Sequence, residues 1–200
     1  MPNDTLSFSS RNLLLLSAGS ALFYLFLTLL ILRYFHDAPA ASLFHHGFGI
    51  PAQLGIGIVG GLAGALFIGY VMFHTTMSDI LHDYRIIELL GDMRMNGFDR
   101  IQISLFAGAG EELLFRGALQ PLLGIWITSA IFVAVHGYFK FTSIRHVIFG
   151  ATMFGLSVGL GILFEWAGLI AAMTAHAVYD VVMLQVGNKC GFGKNSPKTL

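Results

Sequence analysis

Gly110-Glu111-Glu112-Leu113-Leu114-Phe115-Arg116-Gly117 sets two adjacent carboxylates and an arginine inside an apolar region, Ile101 to Phe139, that holds no other Asp, Glu, Lys or Arg. In a chain with a mean hydropathy of +0.74, such a region belongs in a bilayer. An ionised side chain at the bilayer centre costs roughly 2.5–3.5 kcal/mol on insertion scales. Three such groups in one short segment are too costly to be incidental. On a helix, Glu112 and Arg116 are four apart, share a face and can pair. Glu111 points about 100° round the same helix. One carboxylate is therefore paired and the other is free, and the free one is the candidate reagent. The structural alternative is a solvated turn between two spans, which Gly117 and Pro121 would suit.

The wider composition agrees with a membrane setting. Hydrophobic residues make up 56% of the 200 and charged residues only 11%, whereas an ordinary globular chain is about 25% charged. The expected class is all-α: a polytopic bundle of about six transmembrane helices in contact with the lipid bilayer. The formal net charge is zero and there is no basic tract, so no nucleic-acid partner is expected. Cys190 is the single cysteine, which excludes an intramolecular disulfide and argues against a thiol protease.

Outward from the charged octet, spans are predicted over 13–32, 47–73, 101–120, 122–139, 146–164 and 167–186. The first is read as an anchor. A signal peptide ending near Ala38-Pro39-Ala40 is the alternative, but signal cores run to roughly 7–15 residues. His45-His46 lies in the connection that follows and is read as loop. Gly57/Gly61, Gly60/Gly64 and Gly155/Gly159 are GxxxG pairs, which let a neighbouring backbone approach closely and would permit helix-mediated homodimers. His74 to Arg100 is too charged to cross. Within it Ile80, Tyr84, Ile87 and Leu90 recur at helical spacing after Ser78, a candidate N-cap, and predict an amphipathic helix resting on the membrane surface. The expected organisation is N-terminal spans and this interfacial segment over 1–98, a catalytic core over 99–187 and a disordered tail over 188–200.

With six spans, one side of the membrane receives Arg11, Arg85, Arg94, Arg100, Lys140, Arg145, Lys189, Lys194 and Lys198. The other receives Arg33 alone, with Arg116 set aside as part of the motif. The positive-inside rule then makes both termini cytoplasmic.

Polar groups at membrane depth recur twice more, in Phe132-x-x-x-His136 and in His176-x-x-x-Asp180. Each has a structural alternative, a snorkelling histidine in the first case and a self-satisfied helix-fastening pair in the second. Together with the Glu pair they supply what a buried hydrolytic or proton-handling site requires. Glu111 with His136 can hold and activate a water, and His176, oriented by Asp180, can donate to a developing oxyanion. No Ser or Cys is evidently partnered with a base, so direct attack by water is favoured. Glu111, His136 and His176 are also legitimate zinc ligands, although the H-E-x-x-H signature is absent.

The three motifs, in this order and on successive membrane helices, resemble those of the CAAX-protease and bacteriocin-processing (CPBP, or Abi) family of intramembrane proteases. The resemblance covers residues 99 to 187. It implies an endopeptidase that hydrolyses a membrane-associated, sometimes lipidated, peptide or protein in a bacterial inner membrane. It assigns water activation to Glu111 and His136 and the oxyanion site to His176 and Asp180. Arg116 would hold Glu112 and shape the site with Phe132. A cofactor-free mechanism is implied, with zinc as the alternative. Two departures stand out. The last position is often Asn in the family, and an ionised Asp180 cannot donate as an amide does. Asp180 would then be protonated, orient His176 or ligate a metal. In many relatives the loops flanking the site are basic and cytoplasmic, whereas the charge pattern here puts them outside. The alternatives from other classes are a non-catalytic bacteriocin-immunity or scaffold protein and a proton-coupled transporter.

Overall fold

In the computed structural model, residues 10–36, 39–84 and 95–190 are described. Among the described residues six α-helices carry the fold: α1 (Ser10–Ile31), α2 (Ile50–His74), α3 (Gly97–Glu112), α4 (Gln120–Val135), α5 (Ile144–Ala167) and α6 (Leu169–Cys190). α1 runs on as a π-turn over Leu32–His36, and a longer π-segment, Leu113–Leu119, joins α3 to α4. Short 3₁₀ helices occupy Ala40–Phe44 and Thr76–Asp83. The described residues form an all-helical, multi-pass membrane fold.

Among the described residues five apolar helical runs are long enough to cross a bilayer, against about six expected spans. The difference lies at the octet. Gly97–Val135 is one run of 39 residues, which as a straight helix would extend about 58 Å, twice the thickness of the hydrocarbon core. It folds back at Gly124, where φ is 77°, a left-handed backbone conformation open to glycine. The break therefore falls at Gly124, beyond the predicted boundary near Pro121. Pro121 sits in the first turn of α4, where its missing N–H costs nothing. The limb after Gly124 is short, about 16 Å by helical rise, and ends at Val135 rather than at Phe139. His136 is thus left at depth instead of being carried to a surface.

The helices still alternate in direction. His36 Nε2 meets Ala118 O at 2.9 Å, and Phe48 N donates to Ala167 O at 3.0 Å. These contacts join the end of α1, the start of α2, the end of the α3 run and the end of α5 at one face. At the opposite face Arg145 pairs with Asp79 and His146 with Asp83, tying the end of α2 to the start of α5.

α6 is the hub. Gly57 and Gly61 of α2 lie against it so closely that a Cβ at Gly61 would stand 2.4 Å from Ala175 O. From α3, Gly108 approaches Met173 O and Ala177 in the same way. Gly155 and Gly159 face open space within the chain. α3 begins in a capping box, in which Asn96 Oδ1 accepts from Asp99 N at 2.8 Å and Asp99 Oδ2 accepts from Asn96 N at 3.4 Å. Such caps contribute about 1 kcal/mol and start the helix earlier than apolar periodicity alone suggests.

The predicted surface helix is replaced, in its described part, by the 3₁₀ helix Thr76–Asp83, with Thr75 at its N-cap in place of Ser78. Ile80, Leu81 and Tyr84 are buried in the core instead of resting on lipid. The Tyr84 hydroxyl is pushed up to about 12 by burial and then by Asp83. Ile87 and Leu90 lie outside the described residues, as does most of the predicted tail. α6 itself continues past Gly187 to Cys190.

Candidate active site

Glu111, Glu112, Arg116, Phe132, His136, His176 and Asp180 converge, from four segments, beside one cavity of about 550 Å³. The π-segment that starts just after Glu112 supplies Arg116, and widened turns of this kind concentrate at functional sites.

Glu112 and Arg116 are fully buried and form an ion pair, Oε2 to Nε 3.1 Å. Arg116 Nη2 also donates to Ser157 O at 3.1 Å and Ser157 Oγ at 3.0 Å, and the guanidinium lies 5.3 Å over the Phe132 ring. The other oxygen of Glu112, Oε1, accepts from His176 Nδ1 at 2.8 Å. Sequence spacing assigns the orientation of His176 to Asp180. The structure gives it to Glu112, because Asp180 Oδ2 stands 3.6 Å from the opposite nitrogen, Nε2. Asp180 meets the ring from the same helix, whereas Glu112 reaches it from the end of α3.

His136 follows the last residue of α4, and its Nδ1 faces Phe132 O at 2.7 Å. A carbonyl oxygen only accepts, so Nδ1 carries the proton. Glu112, paired with Arg116, likewise accepts from Nδ1 of His176, so that nitrogen carries a proton too. Both imidazoles therefore present Nε2 to Glu111, whose Oε2 lies 3.4 Å from His136 and 3.9 Å from His176. That oxygen is buried without a hydrogen-bond partner. A buried carboxylate oxygen at ion-pair distance from two imidazole nitrogens, without a hydrogen bond to either, calls for a proton or a polar ligand among them.

The three residues of the zinc alternative, Glu111, His136 and His176, are thus neighbours. Among the described residues, however, no group of three or more His, Cys, Asp or Glu side chains is disposed to hold a metal ion.

Two contributors escape the motif spacing. Ser157 lies in the Gly155–Gly159 stretch, where a lone hydroxyl in an apolar run was the available signal. Tyr138, two residues past His136, lines the cavity. The helix-stop glycine between them, Gly137, was its only mark.

A polytopic helical membrane protein with a buried carboxylate–histidine cluster is the class that fold and site define. Residues 97–182 match the family described as Type II CAAX prenyl endopeptidase Rce1-like. Over that stretch, which is less than half of its length, the chain is similar to this family of CAAX-type proteases. It is also similar to the uncharacterized protein YpbD of Bacillus subtilis (strain 168), with 40% identity over 83 residues, covering 41% of this chain and 42% of that one. The chain thus spans less than half the length of the curated relative it matches. No solved structure matches it.

Proposed function

We propose that this chain is an intramembrane endopeptidase that hydrolyses a peptide bond of a membrane-associated peptide or protein with water activated by Glu111 and His136. The observation that carries this reading is the buried Oε2 of Glu111, without a hydrogen bond and set 3.4 Å from one imidazole Nε2 and 3.9 Å from another. A water seated there meets Oε2 and the Nε2 of His136 as acceptors. It gives a hydrogen bond to each and turns a lone pair towards an incoming carbonyl carbon.

As the water oxygen bonds to carbon, its proton passes to Glu111 and the carbonyl becomes an oxyanion. His176 donates to that oxyanion from Nε2 when both its nitrogens carry protons, with Glu112 on Nδ1 and Asp180 beside Nε2. Collapse of the intermediate breaks the C–N bond, and Glu111 returns its proton to the leaving amine. The carboxylate and amine products then depart. Glu112 and Arg116 touch no reacting atom in this scheme; they fix the second imidazole.

The cavity walls are mainly apolar and run from Glu111 towards Leu13, Ile103 and Leu184. These residues lie at the ends of α1, α3 and α6 that share a face with Lys140 and Arg145. By the positive-inside rule this opening is cytoplasmic, and a bacterial inner membrane is the setting that fits it. The site would then open to the cytoplasm even though the loops nearest the motifs lack basic residues.

The test is cleavage of quenched-fluorescent peptides, with and without a lipidated C-terminus, by purified protein in lipid nanodiscs. Wild-type cleavage that survives a chelator and vanishes in Glu111→Gln is the expected result. Cleavage abolished by chelator and restored by zinc would replace this mechanism with a metal-dependent one. Proton flux in liposomes that is blocked by the same substitution, with no cleavage of any reporter, would replace hydrolysis with transport.

A further inference from the structure

We propose that Tyr138 is a positioning residue, whose ring lies near-parallel to the His136 imidazole and keeps its Nε2 directed at Glu111. The inference rests on the hydrolytic reading of the site and extends it to a residue outside the three motifs.

His136 ends α4 in a reversal built by Gly137, where φ is +70°. Gly137 N donates to Ala134 O at 3.0 Å and Tyr138 N to Val133 O at 3.1 Å, the paired bonds of a glycine-terminated helix end. This reversal carries Tyr138 back over the end of the helix. The imidazole consequently lies near-parallel to two rings, Phe132 at 4.3 Å and 28° and Tyr138 at 5.6 Å and 22°. Tyr138 is itself braced edge-on by Phe149 at 5.6 Å and by Tyr84 at 6.0 Å. Lys140 lies 4.6 Å over the Tyr84 ring and donates to Asp83 O.

The second side-chain torsion of histidine is broad and roughly two-fold. One hydrogen bond, from Nδ1 to Phe132 O, does not by itself stop the ring from turning over. A flip would direct Nε2 away from Glu111 and leave carbon at the water site. Phe132 stacks on the ring and hinders such a swing, and the near-parallel Tyr138 ring hinders it further. The flat face is what the position requires.

Full-length protein in nanodiscs carrying Tyr138→Phe, Tyr138→Leu or Tyr138→Ala tests this by cleavage kinetics and by ¹⁵N NMR of labelled histidines, with the His136 signals assigned through His136→Gln. Misplacement of a reacting group costs up to about 100-fold, so Tyr138→Ala is expected to lower kcat by about 10–100-fold with KM changed less than about twofold, while Tyr138→Phe stays within about threefold. The His136 resonances should report a single Nδ1–H tautomer in wild type and Tyr138→Phe, and a mixture in Tyr138→Ala. Tyr138→Leu, which fills the volume without a flat face, is expected to behave like alanine and stands in for it if that variant does not fold. Unchanged kcat and an unchanged tautomer signature in both would overturn the proposal. If wild type cleaves nothing, the hydrolytic reading fails, while the NMR comparison still decides whether Tyr138 holds the ring.

Discussion

Oε1 of Glu112 accepts a hydrogen bond from Nδ1 of His176 at 2.8 Å, across 64 positions of sequence, while the other oxygen of the same carboxylate pairs with Arg116. A single buried carboxylate thus joins two of the three motifs. Its neighbour Glu111 is left facing the cavity. Adjacent glutamates therefore have separable tasks, and the two should respond differently to the same substitution.

Glu112→Gln leaves the Arg116 guanidinium buried without its counter-charge. Breaking one side of a buried pair typically costs about 3–5 kcal/mol. The variant should unfold at clearly lower temperature in detergent and lose cleavage as well. Glu111→Gln keeps the ion pair and should shift stability by less than about 1 kcal/mol while abolishing cleavage. Thermal unfolding run beside kinetics separates the two, and equal destabilisation by both substitutions would contradict this division.

Asp180 offers a sharper contrast. Because Glu112 orients His176, the carboxylate of Asp180 is not needed to hold the ring. An amide in its place can donate into the cavity. Asp180→Asn is expected to retain cleavage to within about tenfold of wild type, whereas Asp180→Ala should lose about 100-fold, the scale on which one oxyanion donor or its support is felt. Collapse of activity in Asp180→Asn would show that the negative charge itself is required.

These contrasts mark where sequence reading stops. The membrane class, the helical content and the convergence of Glu111, Arg116, His136 and His176 were legible because charge in an apolar run is costly and (i, i+4) geometry is local. The partner of His176 Nδ1 was not, since it depends on how α3 packs against α6. Nor was the reversal at Gly124. Isolated glycines are frequent in membrane helices, and apolar periodicity continues through this one without a polar signal. The burial of Ile80, Leu81 and Tyr84 was missed for a related reason. A helical repeat of apolar residues predicts one buried face but does not say whether lipid or protein covers it.

Helix packing gives a third prediction. A side chain at Gly61 or Gly108 meets α6 backbone at under 3 Å, which nothing flexible relieves. Gly61→Leu and Gly108→Val should destabilise the bundle by about 1–3 kcal/mol or more and reduce cleavage, because α6 carries His176 and Asp180. Gly155→Ala and Gly159→Ala, which meet open space within the chain, should leave the unfolding temperature of a monomer unchanged. If size-exclusion chromatography with light scattering finds a dimer, weakening of that dimer by the same two substitutions would place it on this glycine face.

The last prediction concerns sidedness. Thr142 is exposed on the face that receives Arg100, Lys140 and Arg145, while His45 and Trp166 are exposed at the opposite end. In a Cys190→Ser background, Thr142→Cys should react with a membrane-impermeant maleimide only after the cell membrane is opened, and His45→Cys should react in intact spheroplasts. Leu184→Cys, on the cavity wall, should follow Thr142→Cys and be protected by a bound peptide inhibitor of cleavage. The energetic basis is the K/R bias of short loops, in which the end bearing nearly all the basic residues stays inside. The reverse pattern, with Thr142→Cys labelled from outside, would invert the whole bundle and direct the cavity away from the cytoplasm.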